Sequence, residues 1–435
     1  MASPPAVRTV PAPVVEVYPS HRFRALWAAL GVSQFGTAVS AVAIPLIAVL
    51  VLGVSPGQMS VLVAIEMVPA FLIRIPAAAW SDSLASRVPL MSACNLLRAA
   101  VIALVPLLWW LDELSLLALL LVIGTGSLLT GVYASLSSPV LVEVVPAAHL
   151  VDANGRISAT RSVADISGPA LGGALLAVVA APVVVVADAI SFLVSALLLT
   201  RVKVRRQLAP AGVAPTEATA GTASSHPDGR RAGDLRRLGR CLIRRSGMQA
   251  LIAVGFINGV VEPVLILFLV HDLRIRPSVI GLLFALGAVG GVAGGVAVGR
   301  LMKRRGPGGA LAIGVASMLA SMVALPFGTV GPSGVAAVVL LELAGSFGGT
   351  LMIATVFGTI QRAAPAGKVA RVMALSMTFL QVAAVAGALV GGLLGTFAGL
   401  RTTIAVATVL LFVALVPPLL RWRAAGWKVD LAMEL

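Results

Sequence analysis

Apolar runs of about twenty residues recur twelve times along this 435-residue chain, and each is long enough to cross a hydrocarbon layer of ~30 Å as a helix. Lipid offers backbone N–H and C=O groups no partners, so runs of this kind fold as spanning helices whose hydrogen bonds are all internal. Composition agrees: 59% of the residues are hydrophobic and 11% charged, against about 25% charged in soluble domains. The runs fall at 25–52, 57–80, 89–111, 114–138, 156–180 and 181–201, then, beyond a polar stretch, at 248–270, 278–302, 308–328, 333–358, 369–397 and 399–420. The expectation is an all-α integral membrane protein of 12 transmembrane helices. The first run follows 24 ordinary residues with no A-x-A site and reads as an uncleaved span.

Lys and Arg orient the chain. With both termini cytoplasmic, twenty-six of the 32 basic residues lie on the cytoplasmic side, eleven of them between Arg201 and Arg245. Arg274, Arg276 and Arg401 are external, and Arg74, Arg98 and Arg161 lie inside spans. The net charge of +15 therefore follows the membrane rule, with no aromatic interleaving on a basic face, and nucleic acid is excluded as a partner. Plasma membrane is the expected location. Residues 207–229, rich in Ala, Pro, Gly, Ser and Thr, predict a disordered segment. The plan is a cytoplasmic tail over 1–24, a six-helix bundle over 25–201, a basic linker over 202–247, a second six-helix bundle over 248–420 and a tail over 421–435. Pro146 onward aligns without gaps to Pro365 onward, and Ala164, Gly168, Gly172 and Gly173 fall on Ala383, Gly387, Gly391 and Gly392. A register shared over ~30 residues argues for duplication of a pseudo-symmetric half.

Two six-helix halves with a long basic central loop resemble the major facilitator superfamily. Pro76 to Arg87, with Asp82 and Arg87 in place and Ala78, Ser83 and Ala85 where the family has Gly, Arg and Gly, resembles a degraded copy of its G-x-x-x-D-R-x-G-R-K motif. Gly295 to Arg305 keeps the basic end of that motif in the second half and lacks the acid. Gly155, Ala164 and Gly168-Pro169-Ala-Leu-Gly172-Gly173 resemble the G-x8-G-x3-G-P-x2-G-G signature of drug:proton antiporters. The flanks, Leu150 to Ser162 and Asp188 to Phe192, are similar to the branch of enterobactin-type siderophore exporters and macrolide efflux pumps. Arg74 departs from the small residue usual in relatives. The resemblance implies a gating role for Asp82, which would meet the start of helix 11 near Lys368 and Arg371, and for Arg87.

An ionised side chain in hydrocarbon costs roughly 2.5–3.5 kcal/mol, so each intramembrane charge needs a partner, a wet cavity or a proton. Glu66, Glu262 and Glu342 lie 8 or 9 residues from the external ends of helices 2, 7 and 10, ~12–14 Å deep, and are candidates for a proton or substrate site at one level. For Glu66 the alternative is a structural acid paired with Arg74, eight residues on and poorly placed to pair, or capping a break at Pro69. For Glu262 it is an acid serving the break at Pro263. Arg161 and Asp165, spaced i,i+4, predict an ion pair. Together with Arg98 they join the gating and helix-packing candidates, which also include Gly168, Pro169, Gly172, Gly173, Gly387 and Gly391, small or bent positions where helices approach closely. Few amides and phenols fall within spans: Gln34, Asn95, Asn258, Gln381 and Tyr133. Of these Gln34, Asn258 and Tyr133 are substrate-site candidates, in a cavity expected to be mostly apolar and suited to amphipathic compounds.

Cys94 and Cys241 build no disulfide framework, the four histidines have no metal-ligand spacing, and no catalytic constellation or cofactor motif is present. Without a G-x4-G-K-[ST] motif, coupling falls to an ion gradient. The expected activity is proton-coupled export of an amphipathic small molecule by a monomer in the lipid bilayer. An importer or lipid flippase of the same fold, and a transport-inactive sensor or scaffold, are the alternatives.

Overall fold

The computed structural model describes residues 19–84, 86–202, 246–363 and 369–424, all in helices and their connections. The expected linker, most of both tails, Cys241 and Lys368 lie outside them, as does the side chain of Asp82, so the contact expected of Asp82 is not described.

The first six helices are α1 (His21–Leu50), α2 (Pro56–Asp82), α3 (Val88–Trp110), α4 (Leu116–Val144), α5 (Leu150–Leu176) and α6, made of Ala181–Val184 and Val186–Leu199. The second six begin with α7 (Ser246–Leu267), which a π-turn carries on to Asp272. The run Pro277–Val323 is two helices, α8 over 277–305 and α9 over 307–323, joined at Gly306, whose φ of 69° is open to glycine. Next, α10 combines Pro332–Leu340 and Ser346–Ala363 about a π-turn at Leu341–Gly345, before α11 (Val369–Ala398) and α12 (Leu400–Ala424). Serines start three of them: Ser20, Ser55 and Ser115 accept from the N–H three residues on, and Gln58 returns the bond to the Ser55 N–H.

Ten runs of the described residues are long and apolar enough to cross a membrane, and one of these, Pro277–Phe327, holds both α8 and α9. Only α5 falls short, because Asp152, Arg156, Arg161 and Asp165 charge its first half. With it the spans number twelve. The sequence reading differs from the structure at some ends. α4 runs six residues past 138, since Pro139 lies inside the helix where a stop was expected. α5 starts at Leu150 because the charged turn expected to be loop pairs within the helix, Arg156 with Asp152 at 3.0 Å.

The helices pack as two groups. In the first, α1 lies on α5 and α6, α2 on α4, and α3 on α4 and α6; in the second, α7 lies on α11 and α12, and α10 on α8 and α9. Besides lighter contacts of α2 and α1 on α7, two main crossings join the groups, α5 on α8 and α2 on α11. Both lie at the end of the molecule remote from the termini. A buried core there draws on both groups, with Leu46, Ile47 and Met59 beside Phe268, Leu269, Ile280 and Leu283. Toward the termini the core divides in two, one around Phe23, Met91 and Leu136 and the other around Leu251, Met352 and Leu411. The groups are sealed together at the far end and separate at the end that carries the termini.

Candidate functional site

Small residues make the seal possible. A Cβ at Gly173 would stand 2.6 Å from the Ser278 carbonyl, and one at Gly281 would stand 2.4 Å from the Pro169 carbonyl. On the other crossing a Cβ at Gly392 would meet the Ser60 hydroxyl at 2.2 Å, while the Gly57 N–H donates to Thr396 Oγ1 at 3.0 Å. The remaining glycines of the two motifs face inward to their own group: Gly168 and Gly172 touch Ala38 and Val39 of α1, and Gly387 and Gly391 touch the carbonyls of Phe256 and Val260 of α7. Sequence reasoning expects these only as positions where helices approach closely. The structure assigns one glycine of each motif to the crossing and two to the bundle interior, because residues four apart share a face and the next residue points about 100° away.

Two connected cavities open in the first group. The deeper, of about 180 Å³, is walled by Glu66, Asp188, Arg98, Ser127 and Phe192. The larger, of about 420 Å³ and nearer the termini, is walled by Arg74, Arg98, Arg161, Gln34, Tyr133 and Trp27 together with Thr130, Ser137, Asn154 and Thr160. Thr37, Arg98 and Thr130 line both. Charge is thus sorted along the path, with carboxylates deep, two arginines nearer the termini and Arg98 at the waist. Most of the lining surface is apolar, as expected, with these polar and charged groups set into it. Counting amides and phenols overlooked the serines, threonines and arginines that helices 1, 2, 4 and 5 turn inward.

Arg98 is buried on α3, its guanidinium 3.9 Å from the Phe192 ring centre and 5.8 Å from that of Tyr133, an arrangement that partly replaces lost hydration. Asp188, also buried, lies within electrostatic reach and accepts from Ser191 Oγ at 3.3 Å. Gly36 leaves room for this carboxylate, since a Cβ there would stand 2.7 Å from Asp188 Oδ1. Asn95 Nδ2 donates to Ser195 Oγ at 2.9 Å, and Ser195 donates to the Ala29 carbonyl at 2.7 Å, which ties α3, α6 and α1 together. Asp188 received no role from sequence. The cost of a charge within an apolar run, applied to residue 188 as to residue 66, would have found it.

Of the three predicted acids, the structure brings two together. Glu66 on α2 and Glu262 on α7 are accessible, belong to different groups and interact electrostatically across the interface. Glu342 lies in the π-turn of α10, its carboxylate seated against Gly287 of α8. Asn258 is exposed one turn before Glu262. Gln34 and Tyr133 line the larger cavity. Arg161, which lines the larger cavity, pairs with Asp165 at 3.8 Å, and both side chains are well exposed. Arg87 pairs with Glu143, linking α4 to the start of α3. Among the described residues no group of three His, Cys, Asp or Glu could hold a metal ion.

Two helical bundles sealed at one end over a charged, accessible cavity form the architecture of a membrane transporter. The chain belongs to the Major Facilitator Superfamily, whose model matches residues 26–388 and again residues 251–431. No curated protein matches it in sequence. Among solved structures it is similar to a bacterial homologue of the iron transporter ferroportin in an inward-facing state, at 18% identity and a TM-score of 0.69 over 92% of this chain and 98% of that one. It is also similar to a bacterial homologue of the human lysosomal transporter Spinster, inward-facing and unoccupied, at 14% identity and a TM-score of 0.66 over 93% and 97%. The nucleoside transporter NupG matches at 11% identity and a TM-score of 0.69 over 94% and 99%. At these identities the likeness is one of fold. Family and fold point to a multi-pass membrane transporter that binds small-molecule substrates, not to an enzyme.

Proposed function

We propose that this chain is a secondary active exporter of amphipathic small molecules, akin to drug:proton antiporters and the siderophore and macrolide exporter branch, coupled to proton return across the plasma membrane. The observation that carries this reading is the presence of acids inside spans of both groups: Glu66 on α2, in the wall of the deeper cavity, and Glu262 on α7, two helices that touch across the group interface. A carboxylate that is ionised inside a span is costly, so an acid there is suited to carrying a proton across. With the termini cytoplasmic, as the Lys and Arg distribution favours, the sealed end is external and the molecule stands inward-open, ready to load substrate from the cell.

The test uses the purified chain in proteoliposomes with a panel of amphipathic dyes. An imposed pH gradient should drive uphill dye movement that a protonophore abolishes. Glu66→Gln should lose this gradient-driven movement and keep dye counterflow, because exchange moves no net proton. Uphill movement that survives in Glu66→Gln removes this acid from coupling, and gradient-driven movement in the opposite sense makes the chain an importer.

A further inference from the structure

We infer that the larger cavity is an anion-recognition site, and that the transported compound carries a carboxylate or similar planar oxyanion held by Arg74. This rests on the transporter reading above and names the substrate class of its cavity.

The argument is one of charge left uncompensated. Arg74, Arg98 and Arg161 line this cavity, and no carboxylate does. Two of the three have nearby acids elsewhere: Arg161 pairs with Asp165 at 3.8 Å, and Arg98 lies in the field of Asp188. Arg74 has none. It sits eight residues before the end of α2, exposed to the cavity, with no ion pair and no side-chain hydrogen bond among the described residues. An arginine inside a span whose guanidinium faces a cavity with no counterion marks a place for a charge that arrives with the ligand. Its planar fork of donors matches a carboxylate through two parallel hydrogen bonds.

The rest of the wall fits the same occupant. Tyr133 gives the wall an aromatic ring, its hydroxyl turned away from the cavity toward Asn95 and Ser195. Trp27, anchored by its indole N–H to Thr160 Oγ1 at 2.8 Å, presents a rigid aromatic face to an apolar portion of the ligand. A space of about 420 Å³ is within the usual range for drug-sized ligands. The acids lie deeper, so an anion held at Arg74 keeps clear of Glu66, two helical turns or ~12 Å along α2. Substrate anion and coupling acid are thereby given separate places on one helix.

The experiment measures binding of radiolabelled 2-naphthoate to the full chain in nanodiscs, with unlabelled 2-naphthoate, neutral 2-naphthamide and cationic 2-naphthylmethylammonium as competitors. Only the carboxylate should displace the label. Arg74→Gln should weaken binding about tenfold or more, worth ~1.4 kcal/mol, while Arg74→Lys keeps the charge but not the fork and should fall between. Because Arg74 is exposed and unpaired, both variants should elute as the wild type does. Should Arg74→Gln fail to fold, the order of the three competitors on the wild type still decides. Absence of displaceable binding, equal displacement by the amide, or full affinity in Arg74→Gln overturns the inference. Flux assays separate this result from the transporter reading. Carboxylate binding without flux into proteoliposomes keeps the site and removes transport, and gradient-driven movement of a cationic dye without carboxylate binding does the reverse.

Discussion

The two halves share a scaffold and differ in what they bury. Each supplies a helix, α5 or α11, that lays two glycines against the first helix of its own half and a third across to the other half. Inside the first half the buried polar set includes Arg98, Asp188 and Asn95; inside the second, the described buried polar residues are hydroxyls alone, at Ser321, Thr355, Thr359, Ser376, Thr403 and Thr408. Most of these hydroxyls are satisfied by carbonyls of their own helix, as Thr359 is by Thr355 and Val356. The tight glycine packing is common to both halves, whereas a buried arginine and aspartate are described only in the first, and the second holds the half-buried Glu342 between α8 and α10. On the inference above the first half is the recognition half, while the second presents Glu262 over an interior whose described buried polar residues are hydroxyls.

The largest effect expected from this difference comes from removing its central cation. Arg98→Met leaves Asp188 buried without a counter-charge, and stranding one member of a buried charged pair costs about 3–5 kcal/mol. The apparent Tm in detergent should drop sharply, and Asp188→Asn should restore much of it when combined with Arg98→Met. In the second half Thr359→Val removes only a hydroxyl bonded to its own helix, for which about 0.6 kcal/mol is the relevant scale. An equal loss of Tm in Arg98→Met and Thr359→Val would break the contrast between a charged and an apolar interior.

The shared scaffold makes a second, smaller prediction in which the halves should behave alike. Gly173→Leu and Gly392→Leu each force a side chain into a crossing between the groups, and overpacking of this kind costs about 1–3 kcal/mol. The cost falls on the sealed arrangement, so the population should shift by about 5- to 150-fold toward separation at the far end. Spin labels at Leu50 and Val330, both exposed at that end, should move apart in each variant. A response to one substitution and not the other would mean that the crossings carry unequal shares of the seal.

The scaffold was legible in sequence because its determinants are periodic and local. Apolar runs set the helices, and the register from Gly168 to Gly173, repeated at Gly387 to Gly392, marked the tight approaches. The site was less so. Which face of a helix turns inward depends on packing against several neighbours, so the hydroxyls of Thr37, Thr130 and Thr160 and the guanidinium of Arg74 were visible as residues without being visible as a wall. Asp188 and Arg98 are ninety residues apart and meet only because α3 and α6 pack together. Equal depth along a span says nothing of direction, and the π-turn at Leu341–Gly345 sets Glu342 against Gly287 of α8, which its spacing did not reveal.

The smallest effect sharpens the comparison at its edge. The second half does hold an arginine at its far end, Arg401, whose Nη2 donates to the Gly328 carbonyl at 2.9 Å and Nη1 to that of Pro326 at 3.2 Å. It lies 3.8 Å from Asp272 with its side chain 46% exposed. Water and salt reach this group, so its ion pair belongs to the class worth about 0.2–1 kcal/mol. Arg401→Gln should lower Tm slightly, by less as salt is raised, and leave binding in the arginine-lined cavity unchanged, whereas Arg98→Met should lose stability at every salt concentration. A salt-independent loss in Arg401→Gln as large as that of Arg98→Met would place a structural cation in each half, and the division into a charged and an apolar half would no longer hold.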